Sequence, residues 1–252
     1  KHMARREIFA GNWKMYKTCA EAESLVKELV AGLNKKSGRE YVLFPPFPYM
    51  KDVSVKCAGT PFSTGSQNLY HEKQGAFTGE VSPLMVKDCG CAFALIGHSE
   101  RRHIFNETDA DVNKKVRAAL DAGLEAMVCV GELLDERERG ETAGVLERQI
   151  REGLSGFSVQ DFTKISIAYE PVWAIGTGKV ATPEMADEAH SVIRGILKNN
   201  AGAAVGENMP ILYGGSVKPD NIAGLYNMEN IDGVLVGGAS LEAASFLKII
   251  NV

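Results

Sequence analysis

A single carboxylate, Glu170, stands where a short apolar segment of the chain stops and a proline follows. Residues 165–169 are apolar except for one serine, a composition typical of a buried strand. Pro171 cannot donate to a strand ladder and therefore ends it. A carboxylate in this position can serve as a general base if the following segment shields it from water.

The segment after Glu170 has an apolar centre and glycines near its end, which predicts a movable lid. It consists of Pro171, Val172, Trp173, Ala174, Ile175, Gly176 and Thr177. A lone glutamate at a strand end is more often a solvated surface residue. The lid-like segment favours the interpretation of Glu170 as a base that is desolvated when the lid closes.

Three further polar residues follow other apolar segments. Asn12 and Lys14 come after residues 6–10, and His98 comes after residues 91–96. An imidazole can transfer protons, and amide and ammonium groups can stabilise a developing oxyanion. If a helix begins after His98, its N-terminal N–H groups disfavour a positive ring. Taken singly, a structural histidine and a solvated lysine are the commoner explanations.

Small residues in later loops predict a site for an anion. They are Gly176, Ser216, Gly237 and Gly238. Backbone N–H groups of such residues can approach a phosphate beside a helix start. Each glycine pair alone is equally well explained as a turn, and only their combination at one mouth favours phosphate binding.

These residues need a scaffold that brings the ends of distant strands together. Eight predicted strands alternate with helices, at residues 6–10, 41–44, 61–66, 91–96, 125–130, 165–169, 210–213 and 231–236. Continuously apolar strands in this alternation predict an α/β fold with a parallel sheet covered by helices. Eight units in 252 residues predict a single (β/α)8 barrel with its polar residues at the carboxyl ends of the strands. We expect residues 4–252 to form this one domain, and residues 1–3 to be a cloning-tag remnant.

The helices are predicted from caps and periodicity. One helical stretch is expected over residues 133–154, with the charged residues 135–139 on a solvated face. Another helix is expected from near Pro219, and Ser240 is expected to cap the last one.

Composition narrows the functional classes. The net charge of −4 and the absence of a long apolar segment argue against binding to nucleic acid and against a membrane protein. Five cysteines without metal or redox spacing predict reduced thiols and a cytoplasmic location. We interpret Cys129 as a packing residue.

Five segments in the expected order resemble the triosephosphate isomerase family, and the resemblance extends over the whole chain after residue 3. They are residues 11–14, 97–102, 168–173, 213–216 and 237–238. The resemblance implies a TIM barrel isomerase that interconverts dihydroxyacetone phosphate and D-glyceraldehyde 3-phosphate through an enediolate, in glycolysis and gluconeogenesis. It also implies that no metal or other cofactor is needed.

The resemblance also assigns roles to residues. Glu170 would be the base, and His98 a neutral ring that donates to the carbonyl and moves protons between the two oxygens. Asn12 and Lys14 would stabilise those oxygens. Glu100 matches a family carboxylate that can contact Lys14, and whether it relays protons or orders the site is left open.

The long loop of residues 67–80 is too long for a simple connection. The family resemblance implies that it inserts into a second subunit near Lys14, giving a two-fold homodimer. Thr78 is expected to reach the partner's active site, with Met15 and Phe77 in the same interface.

Two other functions are compatible with parts of the sequence. Another sugar-phosphate isomerase or decarboxylase would explain the glycine loops, but not the whole acid–base set. A catalytically silent barrel acting as a binding or scaffold protein predicts damage to Asn12, Lys14, His98 or Glu170, and all four are present.

Overall fold

A computed structural model describes residues 5–175 and 181–252. Its strands form one closed parallel barrel in which each strand pairs with the next and the last pairs with the first. In chain order they are β1 Glu7–Asn12, β2 Arg39–Phe44, β3 Phe62–Ser66, β4 Phe93–Ile96, β5 Glu125–Val130, β6 Ile165–Tyr169, β7 Ile211–Tyr213 and β8 Gly233–Val236. The predicted (β/α)8 barrel is confirmed.

Helices surround this barrel. They are α1 Cys19–Gly32, α2 Met50–Cys57, α3 Pro83–Asp88, α4 Ser99–His103, α5 Asp109–Asp121, α6 Leu134–Glu138, α7 Thr142–Gly153, α8 Val159–Phe162, α9 Pro183–Ala201, α10 Ala203–Asn208, α11 Ile222–Tyr226 and α12 Ala243–Ile250. Short 3-10 turns cover Phe47–Tyr49, Val172–Ala174 and Gly238–Leu241. Within the two described ranges, no helix is long and apolar enough to cross a membrane.

Both faces of the strands are largely buried, which explains the apolar segments in all of them except β3, Phe62–Ser66, which is mostly polar. One set of side chains fills the inside of the barrel: Ile8, Ala10, Val42, Phe44, Phe93, Leu95, Met127, Cys129, Ala168, Leu212 and Leu235. The alternate residues, among them Phe9, Leu43 and Ile96, belong to the larger core. Because neighbouring side chains of a strand point to opposite faces, this larger core lies between the barrel and its helices.

The expectation of one helix over residues 133–154 is wrong. The chain forms α6 and α7 with a break at Gly140, whose φ of 73° lies in the left-handed region that favours glycine. The short helices α8 and α10 are not predicted from the sequence, and α4 is a helix that begins directly after His98, the start considered for the charge of that ring.

Two predicted helix starts are also wrong. The helix expected near Pro219 begins at Ile222, because residues 218–221 form a turn in which Lys218 N–H donates to Asn221 Oδ1 at 2.8 Å. Ser240 does not cap α12. Its hydroxyl donates to the Gly237 carbonyl at 2.7 Å, which closes the 3-10 turn before that helix.

Candidate active site

A cavity of about 370 Å³ opens at the carboxyl ends of the strands. Eight residues singled out from the sequence line it together: Asn12, Lys14, His98, Glu170, Ser216, Gly237, Gly238 and the lid residue Ile175. They come from β1, β4, β6, β7, β8 and the residues that follow those strands. The barrel therefore brings Asn12 and Gly238, which are 226 positions apart in the sequence, into one site.

Glu170 is held at the end of β6 by the neighbouring strand β5. Its N–H donates to the Val130 carbonyl at 2.8 Å. A Cβ added at Gly131 would lie 1.7 Å from the Glu170 carbonyl oxygen, so only glycine allows this approach of the two strand ends. The Glu170 side chain is 2% exposed.

The Glu170 carboxylate is fully engaged in this conformation. His98 Nε2 lies 2.9 Å from Oε1. Ser99 donates its N–H to Oε2 at 3.0 Å and its hydroxyl to Oε1 at 3.3 Å. Burial raises the pKa of Glu170, but the attraction and hydrogen bond of His98, the Ser99 N–H and the Cys129 thiol outweigh it and hold the pKa below its usual value.

His98 caps the first turn of α4. Its Nδ1 accepts the Glu100 N–H at 3.2 Å, so this nitrogen carries no proton in the arrangement seen and Nε2 is the donor. Burial lowers the pKa of His98, and the nearby Glu170 and Glu100 carboxylates raise it above its usual value. Protonation of Nδ1 would break the bond to the helix start, which opposes the charged form.

Lys14 has a strained backbone, with φ of 51°. Two side chains hold this turn: Asn12 Oδ1 accepts the Lys14 N–H at 3.0 Å, and Gln67 Nε2 donates to its carbonyl at 2.8 Å. The Lys14 Nζ lies 2.6 Å from Glu100 Oε1, the contact considered from the sequence. The lysine charge is therefore already paired at the active-site mouth.

Ser216, Gly237 and Gly238 also line the cavity, and a Cβ built on Gly237 would lie 3.5 Å from Lys14 Cε. Gly238 opens the 3-10 turn Gly238–Leu241, and a Cβ built on Gly238 would meet nothing within 4 Å. This open approach to a backbone turn suits an anion. Gly176 and Thr177, also expected in this region, lie outside the described residues.

The first half of the expected lid is anchored to a buried carboxylate. Trp173 lies in the turn Val172–Ala174, is 8% exposed, and donates Nε1–H to Glu132 Oε1 at 2.9 Å. The Tyr169 hydroxyl also donates to Glu132, at 3.1 Å. Ile175 lines the cavity.

Arg137 completes this anchor, which corrects the interpretation of residues 135–139 as only a solvated face. Its guanidinium carbon lies 4.6 Å from the Trp173 ring centroid, and Nη1 lies 3.3 Å from Glu132 Oε1.

Sequence reasoning missed five residues that hold the site in place: Gln67, Ser99, Gly131, Glu132 and Arg137. Glu132 follows β5 in the same way that Glu170 follows β6, and that position after a strand was a usable signal. Cys129, inside the barrel, is fully buried, and burial raises the pKa of its thiol well above the usual value. Such a thiol is a packing group rather than a nucleophile.

The expected interface residues are exposed, and one of them, Met15, lines a groove beside the active site. Met15 is 93% exposed and Phe77 41% exposed, and Thr78 is also exposed. Met15, Phe47 and Phe105 line the groove next to Lys14. A hydrogen bond orders loop 67–80 locally: the Tyr70 N–H donates at 2.8 Å to the carbonyl of Val81, the residue that follows the loop.

The fold and site place this protein among (β/α)8-barrel enzymes with an acid–base cluster at the carboxyl ends of the strands. Residues 7–252 match the family model for triosephosphate isomerase. The triosephosphate isomerase of Caldanaerobacter subterraneus subsp. tengcongensis is 52% identical over 247 residues, which are 98% of this chain and 99% of that protein. The triosephosphate isomerases of Chloroflexus aurantiacus and Syntrophotalea carbinolica are 51% and 50% identical, each over 98% of this chain and over 99% and 98% of their own lengths. The chain belongs to the triosephosphate isomerase family.

Proposed function

We propose that this protein interconverts dihydroxyacetone phosphate and D-glyceraldehyde 3-phosphate by proton transfer through an enediolate, as a step of glycolysis and gluconeogenesis. The observation that carries the proposal is the 2.9 Å contact between Glu170 and His98, inside a cavity that Ser216 and two glycines also line. A carboxylate and an imidazole at this distance can act on adjacent atoms of one small substrate.

Glu170 is the base in this proposal. To reach a substrate carbon it exchanges its bonds to His98 and Ser99 for the substrate. Those bonds lower its pKa, whereas its burial raises it, so the exchange makes the carboxylate more basic as it begins to act. Glu170 removes the proton from the carbon beside the carbonyl and returns it to the neighbouring carbon.

His98 then donates to the substrate oxygen. When Glu170 leaves, Nε2 loses its acceptor, and the carbonyl oxygen takes that place. The helix N–H at Nδ1 keeps the ring neutral, so it can give one proton and recover another as charge moves between the two oxygens. The Asn12 amide and Lys14 ammonium stabilise the same oxyanion.

Glu100 orders the site by holding the Lys14 ammonium. The strained backbone of Lys14 fixes where its side chain begins. Glu100 holds the ammonium at the other end, so the ammonium can take few positions. We therefore favour an ordering role for Glu100 over a place in the proton relay.

Ser216, Gly237 and Gly238 bind the phosphate in this proposal, together with Gly176. Residues 171–177 form the lid, and its anchored first half supports a hinge near Trp173. Closure over the enediolate would exclude water and so prevent loss of the phosphate.

A coupled assay with D-glyceraldehyde 3-phosphate tests the proposal. Glu170→Asp withdraws the carboxylate by one methylene, and a misplacement of this size lowers kcat by about 10²-fold or more. Glu147→Asp, an exposed position on α7, is the matched control and should retain full turnover. No turnover by the wild type would refute the isomerase proposal, and equal turnover by Glu170→Asp would remove Glu170 as the base.

We further propose a homodimer formed by insertion of loop 67–80 into the groove beside Lys14 of a second copy. The exposed apolar side chains of Met15 and Phe77 support this, because a lone subunit gains nothing from exposing them. Phe77→Asp should produce monomers in sedimentation equilibrium, whereas Val159→Asp, exposed on α8, should not. A fully active wild-type monomer would contradict the proposal.

A cytoplasmic location is proposed from the cysteines. All five are free thiols, although three of them are buried. Proteins of oxidising compartments usually pair their cysteines. Fractionation of the source cells tests the location, and recovery of the protein outside the cytoplasm would contradict it.

A further inference from the structure

The active-site cavity has a deficit of positive charge for a phosphorylated substrate. Lys14 Nζ is already bonded to Glu100 Oε1 at 2.6 Å, and Glu170 adds a second carboxylate. A phosphate ester carries close to two negative charges at neutral pH. Backbone N–H groups orient such an anion, but they do not balance the summed charge of the anion and two carboxylates.

Lys218 is a second lysine that lines this cavity, together with Ser216 and Gly237. Its side chain is exposed, and within residues 5–175 and 181–252 no carboxylate forms an ion pair with it. Asp220, two residues further along, does not form an ion pair with Lys218 within the described ranges either. Its charge is therefore available to a ligand.

The backbone of Lys218 is fixed beside Ser216. Lys218 N–H donates to Asn221 Oδ1 at 2.8 Å, and its carbonyl accepts the N–H groups of Asn221 at 3.2 Å and Ile222 at 3.1 Å. Asn221 Nδ2 in turn donates to the Ser216 carbonyl at 2.9 Å. One asparagine thus sets the positions of both residues, and only the flexible lysine side chain has to adjust to an anion.

We propose that Lys218 is a phosphate-binding residue, which supplies the positive charge that Glu100 takes from Lys14. The inference rests on the proposed function, because it assumes that the phosphate binds beside Ser216. Since the side chain is exposed, its effect is moderate and weakens with added salt. It acts on the non-reacting end of the substrate and so on binding more than on the proton transfer.

Steady-state kinetics and equilibrium binding of inorganic phosphate, followed by phosphorus NMR, test the proposal at low and high salt. Lys218→Met should raise KM for glyceraldehyde 3-phosphate and Kd for inorganic phosphate by about three- to tenfold at low salt. Lys218→Glu should raise both further, and Lys218→Arg should restore most of the loss. The increase should shrink at high salt.

Two comparisons distinguish the action of the Lys218 charge on the phosphate from a general effect of the substitution. Lys164→Met removes an exposed lysine that precedes β6, at the opposite end of the barrel, and should leave both constants unchanged. Glyceraldehyde has the reacting carbons without phosphate. The loss of kcat/KM in Lys218→Met should be at least about threefold larger for the phosphorylated substrate than for glyceraldehyde.

The proposal is overturned if Kd for phosphate is the same in Lys218→Met and the wild type, or if Lys164→Met shifts it equally. Equal losses with and without the phosphate group would also overturn it. A wild type without turnover would refute the isomerase function alone, because phosphate binding is measured without the reaction.

Discussion

His190 should make this protein lose stability as the pH falls below 6.5. The ring is fully buried on α9, edge-on to Tyr169 with 5.7 Å between the centroids. Nδ1 lies 3.2 Å from the Asn230 carbonyl, and Nε2 has no hydrogen-bond partner in the described part of the chain. Protonation would bury a charge and an unmatched N–H, so burial lowers the pKa of His190 from 6.5 to about 4.

The magnitude follows from proton linkage. The unfolded chain takes up a proton near pH 6.5 and the folded chain only near 4, so between these values the unfolded state binds more protons. Stability contributed by the neutral ring is complete above pH 6.5 and is lost as the pH falls to 4. The full loss is about 3 kcal/mol, of which about 2 kcal/mol is lost by pH 5.

Urea unfolding at pH 7, 6 and 5, followed by circular dichroism at one protein concentration, measures this loss. His190→Asn retains an amide that can donate to the Asn230 carbonyl and has no titrating ring. The wild type should lose about 2 kcal/mol more than this variant between pH 7 and pH 5. His71→Asn, on the partly exposed loop 67–80, should behave as the wild type. Equal losses in wild type and His190→Asn would refute the reasoning.

Other perturbations test the site and the barrel. Gly131→Ala should abolish most turnover in the coupled assay, because the new Cβ would lie 1.7 Å from the Glu170 carbonyl oxygen; wild-type kcat would contradict this. Ser99→Ala removes the hydroxyl that donates to Glu170 Oε1 at 3.3 Å, and since loss of a donor disfavours the charged carboxylate, the acid limb of kcat/KM against pH should move to higher pH. An unmoved limb would contradict that contact. Arg194→Met removes the buried guanidinium that lies 2.8 Å from the Asp232 carboxylate. The free energy of unfolding in urea should fall by about 3 kcal/mol, and a fall of less than about 1 kcal/mol would contradict this.

The fold was predictable because its signal is local and repeated. Apart from β3, whose residues 62–66 include one apolar side chain, each strand contains an apolar segment that ends at a polar or glycine-rich turn, as expected for strands buried on both faces. The helices were less predictable. Periodicity alone predicts one helix over residues 133–154, but Gly140 interrupts it. The Ser240 hydroxyl donates to the nearby Gly237 carbonyl instead of capping the next helix.

The main residues of the site were predictable for the same reason: Asn12, Lys14, His98 and Glu170 are each at or just after a strand end. The residues that hold them were not. Ser99 meets Glu170 across 71 positions of sequence, and Arg137 reaches Trp173 only because β5 and β6 are neighbours. Such contacts depend on how closely two elements approach in the folded protein, and the local sequence of either element does not show this.

The contacts of Glu170 suggest why the far end of the substrate matters to the reaction. A carboxylate that already accepts from His98 and Ser99 gains little by leaving them for a weakly acidic C–H group. The exchange therefore needs free energy from elsewhere in the complex, and the phosphate end, with Ser216, Gly237 and Lys218, can supply it. Binding energy used in this way lowers the barrier instead of tightening the ground-state complex. A substrate without the phosphate should then lose kcat as well as affinity, and a loss confined to KM would mean that Glu170 moves without this help.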